Sequence, residues 1–221
     1  MDLNEAVKEL EELARRLINC NPGRENECGE VRCDKENGVV PRYFGFYGDF
    51  KKAGEIDAIV IGENPGRMST PERLWWQVKD VVNDPYGSYC GLIKEAVGEK
   101  DEYFYLPYAY VSSMAETEAP VVYYSNTSKC EYSGDKRGKI IRKRCFEKYL
   151  RRELLMLKEA LERENRKPVI YLLGHNAGVF KKEIVGLLGG YSVFVIPHPS
   201  RKYTSKNEGD YFGECNSWIE R

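Results

Sequence analysis

The run Ile56-Asp57-Ala58-Ile59-Val60-Ile61-Gly62-Glu63-Asn64-Pro65-Gly66 decides how this chain is read. Five of its first six residues are apolar, three of them isoleucine, and Gly62 ends the run. A short β-branched run closed by glycine marks a strand buried on both faces. Two more runs have the same form. Val169 to Leu173 stops at Gly174, and Val193 to Ile196 stops at Pro197-His198-Pro199. Helical spacing surrounds them. Leu3, Val7, Leu10, Leu13 and Leu17 predict a helix over 3–19, and Phe146, Leu150, Leu154, Leu157 and Leu161 predict another over 146–165. Residues 72–82, 91–98 and 176–188 also read as helical. The Tyr- and Val-rich stretch 103–125 predicts one or two strands around a long loop, and residues 20–55 predict irregular chain. Strand and helix alternate, which implies an α/β fold with a parallel or mixed sheet covered on both faces. In such sheets, sites lie at the carboxyl ends of strands.

The 221 residues suffice for one domain with a sizeable core, and a single domain over 1–221 is expected. The net charge of −1 excludes a uniformly basic nucleic-acid coat protein but not a local basic patch. No apolar run approaches the roughly 18 residues of a membrane span. Met1 to Leu10 lacks the apolar core of a signal peptide. The chain is therefore expected to be soluble, cytoplasmic and without a membrane partner.

Two strand ends carry chemistry. At the first, Gly62 and Gly66 bracket Glu63 and Asn64. Glycines let backbone approach a ligand, Glu63 can orient or deprotonate a water, and Asn64 can position that water. The same residues are also ordinary turn chemistry. At the second, His198 heads His198-Pro199-Ser200 and is one of only two histidines. A histidine there can donate to a developing anion, or be a loop residue with no role. Seven cysteines without signs of secretion favour metal or iron–sulfur ligation over disulfides. Cys20, Cys28 and Cys33 cluster early, while Cys130 and Cys145 flank a basic stretch; Cys90 and Cys215 read as small buried hydrophobes. No Cys-x-x-Cys occurs, so spacing alone does not choose the metal. From Lys129 to Arg152 there are ten Lys/Arg, Lys136 and Arg137 among them, against three acids. That asymmetry suits a phosphate-binding footprint, although charge runs are usually solvated helix faces.

In this order the pieces resemble the uracil-DNA glycosylase superfamily, above all its iron–sulfur branch, family 4, with family 5 nearby. That branch has a first helix ending in a cysteine pair, then strands ending in Gly-Glu-Ala-Pro-Gly, in Asn before Lys-Cys, in Leu-Leu-Gly and in His-Pro-Ser. This chain has Cys20, Gly62 to Gly66, Pro85-Tyr86 with Gly91 beyond, Asn126 before Lys129-Cys130, Cys145, Leu172-Leu173-Gly174 and His198-Pro199-Ser200. The agreement runs from about residue 5 to 205.

The resemblance implies a three-layer α/β/α sandwich with a mainly parallel sheet. It implies hydrolysis of the N-glycosidic bond of uracil flipped out of DNA, with uracil-containing DNA as partner and a monomer as the working form. Glu63 matches the acidic position of the iron–sulfur branch. Asn64 matches the water-positioning Asn of the mismatch-specific branch, and which of the two handles the water stays open. Gly62 and Gly66 would shape the pocket, Tyr86 would stack on the base, and Asn126 would read its edge. His198 would stabilise the leaving uracil. Ser200, Arg201 and Lys202, with Lys136 and Arg137, would meet DNA. Cys20, Cys28, Cys130 and Cys145 would hold a [4Fe–4S] cluster, with Cys33 as the alternative to Cys28 and zinc as the alternative metal. The stretch 103–125 is longer than its counterpart in the family, which leaves Ser112 or Ser113 as alternatives to Asn126 at the strand end. The departures keep two other functions open: an iron–sulfur DNA-binding protein of the same fold without excision, or a glycosylase for another deaminated base.

Overall fold

The computed structural model describes residues 1–18, 44–48, 56–63, 83–129, 143–199, 203 and 207–220. Helix α1 spans Leu3–Ile18. Its N-terminus is closed reciprocally: Asp2 Oδ1 accepts the Glu5 amide at 2.9 Å, and Glu5 Oε2 accepts the Asp2 amide at 2.7 Å. Leu3, Leu10, Leu13 and Leu17 form its buried stripe. Each fully buried leucine contributes about 1.5–3 kcal/mol.

Five strands follow: β1 (Phe44–Tyr47), β2 (Ile56–Gly62), β3 (Val121–Asn126), β4 (Val169–Leu173) and β5 (Val193–Ile196). Their order is β1-β3-β2-β4-β5, parallel except for β1, which runs antiparallel at the edge. The protein is thus a mixed α/β fold on a mainly parallel sheet. The run that opened the sequence reading is the central strand. Asp57 is its one acidic residue. The Asp57 carboxylate accepts the Val121 amide at 2.8 Å, where the β2–β3 register shifts between Ile56 and Ala58. The polar side chain thereby pairs a backbone donor that the irregular register offers it.

Alternate residues of each strand face opposite cores. Ile59, Ile61, Tyr123, Ile170 and Leu172 pack with α1, with α4 (Arg151–Arg163) and with α6 (Lys181–Leu188). Val60, Val122, Tyr124, Tyr171 and Leu173 pack with α3 (Glu102–Met114) and α7 (Glu208–Ile219). Helix α2 (Pro85–Gly98) lies against β1 and serves both cores, with Tyr86 and Tyr89 in the first and Ile93 and Val97 in the second. The layers are helix, sheet, helix. Among the described residues no helix is long and apolar enough to cross a membrane.

The expected strands and loop over 103–125 give way to α3 followed by β3. Tyrosine favours strands, but packing overrides that preference. Asp101 caps α3 by accepting the Tyr103 amide at 3.0 Å. Leu106, Tyr110 and Val111 recur at helical spacing on the buried side. Pro107 stands one turn inside, where it cannot donate to the carbonyl of Tyr103. The irregular chain expected over 20–55 contains β1. The single helix expected over 146–165 opens instead as a π-helical turn, Phe146–Leu150, before α4. The helix expected over 176–188 is two: α5 (Gly174–Gly178) and α6. The helix expected over 72–82 lies outside the described residues, as do residues 130–142 of the basic stretch and residues 49–55 between β1 and β2.

Candidate active site

The carboxyl ends of β3, β2, β4 and β5 lie side by side, and each delivers a polar residue. Gly62 ends β2 in register with Asn126 at the end of β3. A Cβ on Gly62 would run into Asn126 Oδ1, so glycine lets the amide take this position, and a larger residue would turn it away. The pairing continues past both strand ends. The Thr127 amide donates to the Gly62 carbonyl at 2.9 Å, and the Ser128 amide donates to the Glu63 carbonyl at 2.8 Å. The Thr127 hydroxyl donates to the same Glu63 carbonyl at 2.8 Å. Thr127 and Ser128 are fully buried. The backbone under Glu63 is therefore held twice from β3.

The Glu63 carboxylate is held from the other side. Asn176, in the short helix α5 beyond β4, donates through Nδ2 to Glu63 Oε2 at 2.8 Å. Glu63 itself is half-buried. The turn from β4 into α5 passes through Gly174 at φ +74°, a left-handed conformation. A Cβ at Gly174 would sit 2.8 Å from the Cβ of His198. Gly174→Ala is therefore expected to push His198 aside and to lower stability, with about 1–2 kcal/mol from the backbone conformation alone. Thermal unfolding checks this, and an unchanged melting temperature would contradict it.

His198 follows β5 through Pro197, whose carbonyl accepts the Tyr211 hydroxyl at 3.1 Å. Its ring meets the edge of Tyr103 in the first turn of α3, with centroids 5.7 Å apart and planes at 61°. Burial of the ring lowers the His198 pKa below the ordinary 6.5, although a backbone hydrogen bond at Pro199 and the charge of Glu63 act to raise it. The side chain keeps an exposed edge, so the shift is that of a partly walled ring and not of a core histidine. At neutral pH the imidazole is uncharged and donates through one nitrogen only. A carboxylate, two amides and a neutral imidazole thus share one edge of the sheet. Such a set can hold a water, read a polar heterocycle and stabilise a departing anion.

Gly62, Glu63, Asn126 and His198 are brought together by this edge. Ser112 and Ser113 are in α3, not at a strand end. Tyr86 stands in the first turn of α2, 5% exposed, with its ring 6.3 Å from that of Phe44. It offers no open ring face to the edge, whereas Tyr103 is 42% exposed beside His198. Cys145 is buried, and its Sγ accepts the Lys129 amide at 3.1 Å. Cys215 is buried among α7 contacts and Cys90 is partly buried beside Tyr86, as small apolar side chains would be. Lys129 is fully buried, so it leaves the basic footprint that the sequence suggested. Lys143, Arg144, Lys148, Arg151 and Arg152 of that run are exposed. Asn64, Gly66, Ser200, Arg201, Lys202, Lys136, Arg137, Cys20, Cys28, Cys33 and Cys130 lie outside the described residues. Among the described residues no group of His, Cys, Asp and Glu gathers into a metal site.

Sequence reasoning named Gly174 as a strand end but missed Asn176 and Tyr103. Asn176 carried a usable signal, because it stands three residues past the strand that ends at Leu173. Tyr103 carried none, since nothing local places the start of α3 beside β5.

No family model matches this chain, and no curated protein sequence matches it. Among solved structures it is similar to a mutant of UNG from Nitratifractor salsuginis, at 12% identity. The match covers 98% of this chain and 99% of that one, with a TM-score of 0.36. At that identity and TM-score the likeness assigns no function to this chain.

Proposed function

We propose that this chain is a DNA glycosylase that hydrolyses the N-glycosidic bond of uracil flipped out of DNA. The observation that carries the reading is the meeting of Glu63, Asn126, Asn176 and His198 on four adjacent strand ends. A base inside a duplex is out of reach, so it must leave the stack for such an edge. The amide of Asn126 reads the pyrimidine. As the bond breaks, the electron pair stays with the ring nitrogen of uracil, and the neutral His198 donates to the oxygen where that charge gathers. Glu63, with Asn64 next to it, orients the water that adds to the sugar carbon and takes up its proton. Tyr103 walls the side of His198. Ser200, Arg201, Lys202, Lys136 and Arg137 contribute phosphate contacts, and no membrane partner is needed.

Cys20, Cys130, Cys145 and either Cys28 or Cys33 would hold a [4Fe–4S] cluster. The donor chemistry at Cys145 suits one. Its sulfur accepts the Lys129 amide, which sets the chain just before Cys130 against it, and backbone N–H to sulfur bonds are among the levers that tune such clusters. The cluster would be structural, because hydrolysis moves no electrons. Purified protein is expected to be brown. Colourless protein with tightly held zinc would contradict the cluster.

A labelled oligonucleotide with one uracil, single-stranded or opposite guanine, tests the function after alkali treatment. Strand cleavage is the expected result. An intact strand from protein that binds the DNA would favour a binding protein of the same fold. Cleavage only at hypoxanthine or xanthine would favour another base.

A further inference from the structure

Lys129 and Glu153 form an ion pair with neither side chain exposed to any extent, Nζ to Oε1 at 2.7 Å. Glu153 stands on α4, and Lys129 lies just past β3. The other Glu153 oxygen accepts the hydroxyls of Ser125 at 2.6 Å and Tyr123 at 3.1 Å. The Lys129 ammonium also donates to Ser125 Oγ and sits 5.3 Å from the ring centroid of Phe44. Glu153 Oε1 has the ammonium as its ion-pair partner but makes no aligned hydrogen bond, so the pair is not fully satisfied. A buried ion pair is in any case weak support for stability, because well-packed apolar residues of similar volume often serve as well or better. Such a pair can instead serve to fix the position of what it binds.

The residues it grips identify what is positioned. Ser125 precedes Asn126 and Lys129 follows Ser128, so the network holds both sides of Asn126-Thr127-Ser128. Those three residues carry the amide aligned with Gly62 and the two N–H groups that hold the carbonyls of Gly62 and Glu63. The Lys129 backbone adds a tie to Cys145. We propose that Lys129 and Glu153 are positioning residues that clamp the end of β3 to α4, and so fix Asn126 and the backbone of Glu63 in the candidate site. The catalytic consequence rests on the proposed glycosylase activity; the clamp itself does not.

The test is the double variant Lys129→Met, Glu153→Leu, which removes both charges and keeps the volume. The melting temperature is expected to fall while the fold is kept, because the buried hydroxyls of Ser125 and Tyr123 lose their acceptor. Amide exchange at Thr127 and Ser128 is expected to quicken by at least about tenfold, while exchange at Ile59 to Ile61 in β2 stays the same. Uracil excision is expected to fall through kcat more than through KM. Unchanged protection of Thr127 and Ser128 in a folded double variant would overturn the proposal, as would equal loosening of β2. Wild-type exchange guards against a variant that does not fold. Thr127 and Ser128 are expected to exchange as slowly as Val60, and exchange faster than Val60 would overturn the clamp. If the wild type excises nothing, the glycosylase reading fails and the exchange contrast still decides the clamp.

Discussion

Glu63→Gln is expected to slow uracil excision by about 10²–10⁴-fold while DNA affinity holds or rises. Glutamine keeps the length of the side chain and an oxygen that can accept from Asn176, so the hydrogen bond now 2.8 Å long can persist. What is lost is the charge that draws a proton from the attacking water. The same loss removes a negative charge from a surface meant to face phosphates, which favours binding if it changes it at all. Single-turnover excision and a DNA titration measure the two separately. A rate within a few-fold of wild type would move the water to Asn64, and Asn64→Ala would then carry the loss. A protein that only binds DNA would show the affinity with no excision to lose.

His198→Ala is expected to reduce excision by about 10²–10³-fold, the range for removing one donor from a developing anion. His198→Gln keeps a donor and should recover part of the loss. The pH behaviour follows from the lowered pKa. Because burial disfavours the charged ring, the unfolded chain takes up the proton more readily than the native one. Native stability is therefore full above the ordinary 6.5 and declines as pH falls from there through the lowered value. His198→Gln should lack that decline. Thermal unfolding between neutral and mildly acidic pH checks the sign, and a native state that gains stability on acidification through this residue would contradict the placement of His198.

Much of the scaffold was legible because its signals are local. β2, β4 and β5 are short buried runs that stop at Gly62, Gly174 and Pro197, and α1 repeats leucine at helical spacing. β1 was not, since Phe-Gly-Phe-Tyr over Phe44–Tyr47 is too short and too glycine-marked to stand out. α3 misled because tyrosine and valine favour strands, and only its burial against β2 and α7 makes it a helix. The site divides in the same way. Glu63 and His198 could be picked out because a titratable side chain directly follows a strand. The Asn176 partner of Glu63 is 113 residues away, and the Lys129–Glu153 pair joins a residue read as surface charge, just past β3, to another on α4. No local pattern encodes either meeting. Each is a product of strand order.

The most direct test of the central claim is release of free uracil under single-turnover conditions, from an oligonucleotide with one uracil and an excess of purified protein. One equivalent of uracil is expected from the wild type and none above background from Glu63→Gln, His198→Ala together. No release by folded wild-type protein, from single strand or from a uracil–guanine pair, would contradict the assignment of this strand-end site to uracil excision.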